Sequence, residues 1–334
     1  MAHWAGGPIV RRSHGFAVFS MSKKSTEPLA EELSSIAGLK LKIAEPLAHY
    51  TSMKIGGPAD YFVEVIHGAA LANLLRTLDR KGVDFYLLGN GSNVLISDRG
   101  VRGAVIRLAG EFKIVEWTEG ADEARVNVGA AYPVTQLVRE AARKGYASLE
   151  FAEGIPGTVG GALYMNAGAY GSEFQKVVDR IEGMTRAGEP ARFSRQEMTF
   201  SYRDSHLPAG MVVTRVAMRL QHADAARVGS KVRELTTQRK GSQPSGFPNS
   251  GSMFRNPPGD FAGRLIEAAG LKGRRMGQSQ ISERHANFFV NLGGAKAGEV
   301  RRLMRLAQAE VRAQFGVELE AEVKLVGDWP ADEP

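Results

Sequence analysis

The chain has 334 residues, a formal net charge of +7 and no cysteine, a length that indicates two or three domains. The absence of cysteine excludes disulfides, thiolate zinc sites, iron–sulfur clusters and cysteine nucleophiles. The seven histidines are scattered without paired ligand spacing, which argues against a metal site. No apolar stretch approaches the ~20 residues that a membrane helix needs. No long basic run with interleaved aromatics indicates nucleic-acid binding.

The first 21 residues contain only a short apolar patch, residues 16–19, which is too short for the core of a signal peptide. We expect residues 1–21 to be a disordered extension, or translation to begin at Met21. We expect a cytoplasmic protein, because the lack of cysteine suits a reducing compartment.

The N-terminal third alternates helix and strand patterns, as in a small α/β unit. The helix signals are a capping Thr26 with Pro28 in the first turn, and a later leucine stripe that stops at Gly82. In chain order the predicted elements are a helix over 26–36, a strand over 59–66, a helix over 71–78 and short strands over 85–88, 94–96 and 105–108.

The rest of the chain adds strands, two amphipathic helices and a polar stretch. Residues 212–220 alternate between apolar and polar, which predicts a half-solvated antiparallel strand. We place a domain boundary within the polar stretch 222–246. The other predicted elements are a strand over 125–129, a helix opened by Pro133, a helix over 261–269, a strand over 287–291, a helix over 298–315 and a closing strand over 318–326.

A first glycine-rich segment, residues 89–93, follows a predicted strand directly. It begins like a dinucleotide fingerprint, but the third glycine is missing and the next residues are strand-like. A Rossmann site needs a helix at that point, so that assignment is rejected. Two readings stay open: an anion-binding nest of backbone donors and an ordinary hairpin turn.

A second glycine-rich segment holds six glycines within residues 154–171, in a chain with 39 glycines in total. Such density is costly, since glycine loses the most backbone freedom on folding. We interpret it as backbone pressed against a flat or charged ligand. The alternative is tight packing of a helix onto a sheet. Two such segments without a Rossmann helix suggest a different dinucleotide-binding fold.

Seven segments, in order, are similar to motifs of the UDP-N-acetylenolpyruvoylglucosamine reductase family, a family of flavoenzymes in peptidoglycan synthesis. The resemblance spans roughly residues 40–327. The segments are residues 50–60, 89–93, 154–171, 200–205, 250–257, 282–287 and 322–324.

The resemblance implies an α+β fold: two subdomains enclose FAD in the manner of vanillyl-alcohol oxidase, and a C-terminal α/β domain binds substrate. It also implies non-covalent FAD, NADPH as the reductant and UDP-N-acetylglucosamine enolpyruvate as the substrate. The implied division is 22–108 and 109–222 for the FAD-binding subdomains, 223–328 for the substrate-binding domain and 329–334 for a tail.

Three residues match the family's catalytic positions: Arg203, Ser252 and Glu322. Hydride addition to an enol ether builds negative charge on the conjugated carboxylate, and a permanent cation stabilises such charge. Arg203 matches that role, with Glu322 as the partner that orients it. Ser252 matches the proton donor, which works only if it lies within hydrogen-bond reach of a strongly basic carbon.

The resemblance also carries over a larger set of binding positions. The cofactor-binding residues are Ile55, Gly56, Gly57, Gly89, Asn90, Gly91, Ser92, Asn93, Gly154, Ile155, Pro156, Gly157, Thr158, Gly160, Gly161, Asn166 and Ala169. The substrate-binding residues are Tyr170, Arg239, Asn256, His285 and Lys324.

Two departures from the family pattern affect substrate contacts. Some members have a lysine where this chain has Ser242, so Arg239 or Lys240 would supply that charge. No tyrosine follows Tyr202, which places the chain in the branch without a tyrosine-bearing loop over the substrate. We expect a more open site and a monomer.

Two alternatives remain at this stage. One is another FAD-dependent oxidoreductase of the same fold that acts on an alcohol or a sugar lactone. The other is a nucleotide-sugar-binding or nucleic-acid-binding protein without catalysis, which would bind no flavin.

Overall fold

The computed structural model describes residues 27–120 and 123–330. The capping Thr26, the extension 1–21 and part of the tail lie outside these residues. The helices are α1 Glu27–Ser35, α2 Gly68–Arg80, α3 Val134–Arg143, α4 Val159–Tyr164, α5 Ala225–Ser242, α6 Ala262–Ala268 and α7 Ala297–Phe315. The strands are β1 Leu39–Pro46, β2 Pro58–Val65, β3 Phe85–Leu87, β4 Val94–Ile96, β5 Val101–Leu108, β6 Val115–Glu119, β7 Glu123–Gly129, β8 Tyr146–Ala147, β9 Gly168–Ala169, β10 Ser172–Glu173, β11 Val178–Met184, β12 Pro190–Ser194, β13 Val212–His222, β14 Asn249–Ser252, β15 Arg275–Met276, β16 Ser279–Ile281, β17 Phe288–Asn291 and β18 Lys324–Val326.

The first sheet has the order β1-β2-β5-β3. Its inner strands pair in parallel, and β1 adds an antiparallel edge. Helix α2 buries Leu71, Leu74, Leu75 and Leu78, because residues three and four apart share one helix face. The predicted strand–helix–strand start is confirmed.

The second sheet has the order β12-β11-β13-β7-β6, with β8 added beside β13. Strand β13 buries Val212, Val216 and Leu220 on the predicted face. The prediction of a solvated opposite face is wrong in part, since Val213 and Ala217 are also buried. Both faces of the strand are therefore covered over part of its length.

Helix α5 occupies most of the polar stretch that we took for a domain boundary. Asp224 caps its N-terminus by accepting a hydrogen bond from the Arg227 amide, 2.7 Å away. Val228 and Val232 pack into the core shared by the first two sheets. The helix thus packs with the N-terminal half, which favours a boundary after Ser242.

The C-terminal part has its own sheet, β14-β17-β16-β15, and a separate core with α6 and α7. Helices over 261–269 and 298–315 were predicted, and both are present. The predicted closing strand over 318–326 is too long, because only β18 is a strand and it pairs in parallel with β4 of the N-terminal half. The chain before β18 follows residues 253–255 through single backbone hydrogen bonds instead.

Candidate active site

The first glycine segment connects β3 to β4, which are not paired with each other. β3 pairs with β5 and β4 with β18, so the hairpin alternative is wrong. Gly91 has φ +61°, and a Cβ there would lie 2.3 Å from the Tyr50 carbonyl oxygen. The Ser52 amide donates to the Gly91 carbonyl over 3.0 Å. The first glycine segment therefore packs its backbone directly against residues 50–52, at a position where a side chain would not fit.

The two glycine segments face each other across a narrow gap. The Ser92 hydroxyl donates to the Pro156 carbonyl over 3.0 Å. Gly157 has φ +125°, and a Cβ there would lie 3.0 Å from the Ser92 Oγ. A Cβ at Gly89 would lie 2.9 Å from the Thr158 Oγ1. Side chains at these two glycines would fill the space between the loops, so their absence leaves a cradle open.

Other predicted cofactor glycines serve packing within the protein. A Cβ at Gly57 would lie 2.2 Å from the Asp98 carbonyl oxygen, and one at Gly160 would lie 2.9 Å from the Ala130 Cβ. Gly160 belongs to the short helix α4, which the sequence did not predict. The tight-packing alternative therefore holds for this part of the second segment.

Arg203 and Glu322 form an ion pair although 119 residues separate them in the chain. The Arg203 Nε donates to the Glu322 Oε1 over 2.9 Å, and an Nη2 proton goes to the Gly168 carbonyl over 3.2 Å. The exposed fractions of the two side chains are 19% and 16%. The Arg203 guanidinium therefore links the Glu322 carboxylate to the second glycine segment.

The loop that carries Arg203 is tightly built. Arg203 has φ +60°, a conformation that non-glycine residues seldom adopt. Ser201 and Asp204 exchange backbone hydrogen bonds of 2.9 and 3.1 Å on either side of it. The buried Asn166 donates to the Ser201 carbonyl and accepts from the Gln175 amide. The side chain of this predicted cofactor-binding residue thus ties the arginine loop to the segment of Gln175.

Ser252 ends β14, directly before a contact with the Glu322 backbone. The Glu322 amide donates to the Met253 carbonyl over 2.9 Å, and Ser252 pairs with Phe288 on β17. Ser252 is half-buried. The predicted proton donor therefore directly precedes Met253, whose carbonyl accepts from the backbone amide of Glu322.

Cations surround the Glu322 carboxyl. Its burial raises the pKa, and the charges of Arg203, Arg255 and Lys324 offset this only in part. The Lys324 ammonium also lies 5.8 Å from the centroid of the exposed Tyr164 ring. Sequence reasoning missed Arg255 and Tyr164, although both lie inside motifs that it singled out.

Tyr170 and Arg239 meet beside the second glycine segment. The Tyr170 hydroxyl donates to the Leu235 carbonyl on α5 over 3.3 Å. Arg239 lies one turn further along, and a Cβ at Gly154 would come within 2.6 Å of its Cδ. Burial lowers the pKa of the Arg239 guanidinium below its usual range. A desolvated cation at this edge suits an anionic group.

Asn256 and His285 lie together around the start of α6. The Asn256 Oδ1 accepts from the Ala262 amide over 3.1 Å. A Cβ at Gly263 would lie 2.9 Å from the His285 Cε1, and burial lowers the pKa of His285. Within the described residues neither side chain hydrogen-bonds to Arg203 or Glu322.

Comparison with known proteins supplies the family. The profile of the UDP-N-acetylenolpyruvoylglucosamine reductase C-terminal domain matches residues 243–326, and that of an FAD binding domain matches residues 59–194. A UDP-N-acetylenolpyruvoylglucosamine reductase of Symbiobacterium thermophilum is 46% identical and covers 91% of this chain and 98% of the relative. The chain belongs to the UDP-N-acetylenolpyruvoylglucosamine reductase family.

Further relatives agree with this membership. The reductase of Rubrobacter xylanophilus is 46% identical over 86% of this chain and 95% of its own length. A crystal structure of the reductase from Thermus caldophilus superposes with a TM-score of 0.73 at 38% identity, over 86% of this chain and 98% of that one. The predicted resemblance and the FAD-binding α+β fold are confirmed.

The cradle fits the FAD of this family. Gly89 and Gly157 leave open the space between two loops that the Ser92–Pro156 hydrogen bond holds together. In the described part of the chain, no helix is long and apolar enough to cross a membrane. In the same residues, no group of three or more histidines and carboxylates is arranged to hold a metal ion.

Proposed function

We propose that this protein reduces UDP-N-acetylglucosamine enolpyruvate to UDP-N-acetylmuramate, a step of peptidoglycan precursor synthesis, with NADPH as the reductant. The observation that carries the proposal is the Arg203–Glu322 ion pair. It joins two segments 119 residues apart. The Arg203 guanidinium contacts the second glycine segment, and the Glu322 backbone amide binds the carbonyl of Met253, the residue after Ser252. The names of relatives that match over nearly their whole length support the same reaction.

The cradle residues hold FAD without a covalent link. FAD bound there would supply hydride to the substrate, with NADPH as the source of the electrons. Ser92 keeps the two loops at their spacing, Thr158 caps α4 by accepting from the Gly161 amide, and Gly89 and Gly157 admit the cofactor. The other proposed contacts are Ile55, Gly56, Gly57, Asn90, Gly91, Gly154, Ile155, Pro156, Gly160, Asn166 and Ala169. Asn93, which the resemblance also assigned to the cofactor, directs its side-chain Nδ2 to the Glu322 carbonyl instead.

Arg203 stabilises the charge that develops on the substrate carboxylate when hydride reaches the methylene carbon. Its guanidinium is held by Glu322 and the Gly168 carbonyl, so little reorganisation is needed as the charge appears. Ser252 then gives its proton to the adjacent carbon of the enolate-like substrate. Burial raises the pKa of Glu322, and its carboxyl orients the Arg203 guanidinium through the 2.9 Å contact.

The anionic and polar parts of the substrate contact cations at the rim of the cleft. Arg239 and Lys324 suit diphosphate or carboxylate oxygens, while Tyr170, Asn256 and His285 supply further polar contacts. Arg239 and Lys240 remain our candidates for the charge that some relatives carry at the position of Ser242.

The remaining proposals concern organisation. We propose two FAD-binding subdomains, residues 22–108 and 109–222, followed by a substrate-binding domain within 223–328. The packing of α5 moves its residues to the FAD-binding side. We also propose a cytoplasmic monomer of the branch without the tyrosine-bearing loop.

The test uses the purified holoprotein under anaerobic conditions. The flavin is first reduced with NADPH, and UDP-N-acetylglucosamine enolpyruvate is then added. We expect the flavin absorbance to return without oxygen, with one product formed per flavin. If the reduced flavin is not reoxidised by this substrate, the proposed reaction is contradicted. If the protein is colourless and cannot be reconstituted with FAD, flavin binding is contradicted as well.

A further inference from the structure

The C-terminal strand β18 is inserted beside the strand that follows the first glycine segment. β18 and β4 run in parallel, and Lys324 lies opposite Val94. The glycine segment and the Glu322 segment therefore enter one two-stranded ladder from the same end. Whatever fixes the start of this ladder also fixes the distance between the cofactor loop and the carboxylate.

Asn93 makes two hydrogen bonds at that starting point. Its side-chain Nδ2 donates to the Glu322 carbonyl over 3.2 Å, and its own carbonyl accepts from the Lys324 amide over 3.1 Å. These bonds bracket Val323, which is buried. The Asn93 amide is thus directed at the catalytic segment.

The Glu322 backbone is consequently held from two sides. Its amide is bound to Met253, next to Ser252, and its carbonyl is bound to Asn93. The side chain between these two groups reaches Arg203 over 2.9 Å. Loss of either backbone contact lets the carboxylate move relative to the cofactor loop, and a displacement of ~1 Å in an active site can cost ~10²-fold in rate.

We propose that Asn93 is a positioning residue, which sets the Glu322–Arg203 pair against the cofactor loop through the Glu322 carbonyl. This inference rests on the function proposed above, because it assigns Asn93 a part in the second half-reaction. It predicts that loss of the Asn93 side chain slows hydride transfer from the flavin to the substrate and does not slow flavin reduction by NADPH to a comparable extent.

Ser97 provides a matched control on the same strand pair. Its buried hydroxyl donates to the Asp328 carbonyl, so it also joins the β4 segment to the C-terminal segment. This contact lies at the far end of the ladder, four residues from Asn93. Ser97→Ala therefore removes the same kind of bond without touching Glu322.

The experiment compares Asn93→Ala, Asn93→Asp and Ser97→Ala in single-turnover kinetics. Aspartate keeps the shape of asparagine but has no N–H to donate. In both Asn93 variants we expect flavin reoxidation by UDP-N-acetylglucosamine enolpyruvate to slow by ~10- to 100-fold. Flavin reduction by NADPH should stay within about threefold of the wild type, and Ser97→Ala should keep both rates within that range.

Hydrogen exchange of the apoprotein gives a readout independent of flavin chemistry. We expect the amides of residues 322–324 to exchange faster in both Asn93 variants and not in Ser97→Ala. Equal loss in both half-reactions, an equal defect in Ser97→Ala, or loss of FAD with unchanged exchange at 322–324 would each overturn the positioning role. If the reduced wild-type flavin does not transfer hydride to the substrate, the proposed reaction is refuted. The hydrogen-exchange result still reports on the role of Asn93 in that case.

Discussion

Replacement of Arg203 by lysine tests the centre of the proposed mechanism. The positive φ of residue 203 is equally unfavourable for either side chain, so the exchange changes chemistry without changing backbone strain. Lysine keeps the charge but loses the planar fork. A single ammonium cannot reproduce both bonds of the guanidinium, the 2.9 Å contact to Glu322 and the 3.2 Å contact to the Gly168 carbonyl.

The expected magnitude follows from these contacts. Hydrogen bonds to charged groups contribute ~1.5–3 kcal/mol each, and removal of a preorganised donor where charge develops costs ~10²–10³-fold in kcat. We therefore expect Arg203→Lys to slow flavin reoxidation by substrate by at least ~10²-fold. Flavin reduction by NADPH should change far less, because no enolate forms in that step.

Arg195 offers a control arginine in the same part of the chain. It is partly buried and donates to the Gln175 carbonyl over 3.2 Å and to the Met198 carbonyl over 3.1 Å. Arg195→Lys should lower the thermal midpoint without slowing the transfer to substrate. Stopped-flow absorbance measures both half-reactions. Near-normal transfer in Arg203→Lys, or an equal loss in Arg195→Lys, would refute the assignment.

Three further outcomes are expected. Ser252→Ala should leave flavin reduction intact and slow product formation by at least ~10²-fold in rapid-quench kinetics; equal loss in both steps would exclude the proton-donor role. Gly157→Ala should weaken FAD binding at least ~10-fold, about 1.4 kcal/mol, in fluorescence titration. Gly293→Ala has a similar φ, +122° against +125°, but open space around its Cβ, so it should bind FAD normally. Because burial lowers the pKa of His285, the unfolded chain takes up that proton first as pH falls below about 6.5. The free energy of unfolding should therefore decrease as the pH falls below about 6.5. If His285→Gln shows a decrease of the same size, His285 is not its cause.

The helices and strands that the sequence predicted are those with strong periodicity. The apolar stripes of α2 and α7 bury one face each, and such stripes are local signals. Helix α5 was missed because only three of its 18 residues are buried, Val228, Val232 and Leu235. Their i, i+4, i+7 spacing was the one signal available. The parallel pairing of β18 with β4 has no local signal, since about 230 residues separate the partners.

The candidate site was predictable only as a set of motifs. Residue types indicated what a guanidinium, a hydroxyl and a carboxylate can do together, but no spacing in the sequence indicates that Arg203 contacts Glu322. Their contact depends on a left-handed residue and on backbone bonds to Met253 and Ser201. Asn256 and His285 likewise match family positions, but only the structure shows that both lie against the start of α6.

The glycine segments explain why composition alone could not separate cofactor contacts from packing. A glycine indicates that something lies close to the backbone, and the neighbour can be a ligand or another chain segment. At Gly57 and Gly91 the neighbour is a carbonyl oxygen of the protein, 2.2 and 2.3 Å from an added Cβ. At Gly89 and Gly157 it is a side-chain oxygen of the other glycine segment, 2.9 and 3.0 Å from an added Cβ. The first pair must be glycine for the chain to fold. At Gly157 the φ of +125° also favours glycine, whereas at Gly89 only the closeness of the Thr158 side chain does. The cofactor argument therefore rests on the second pair.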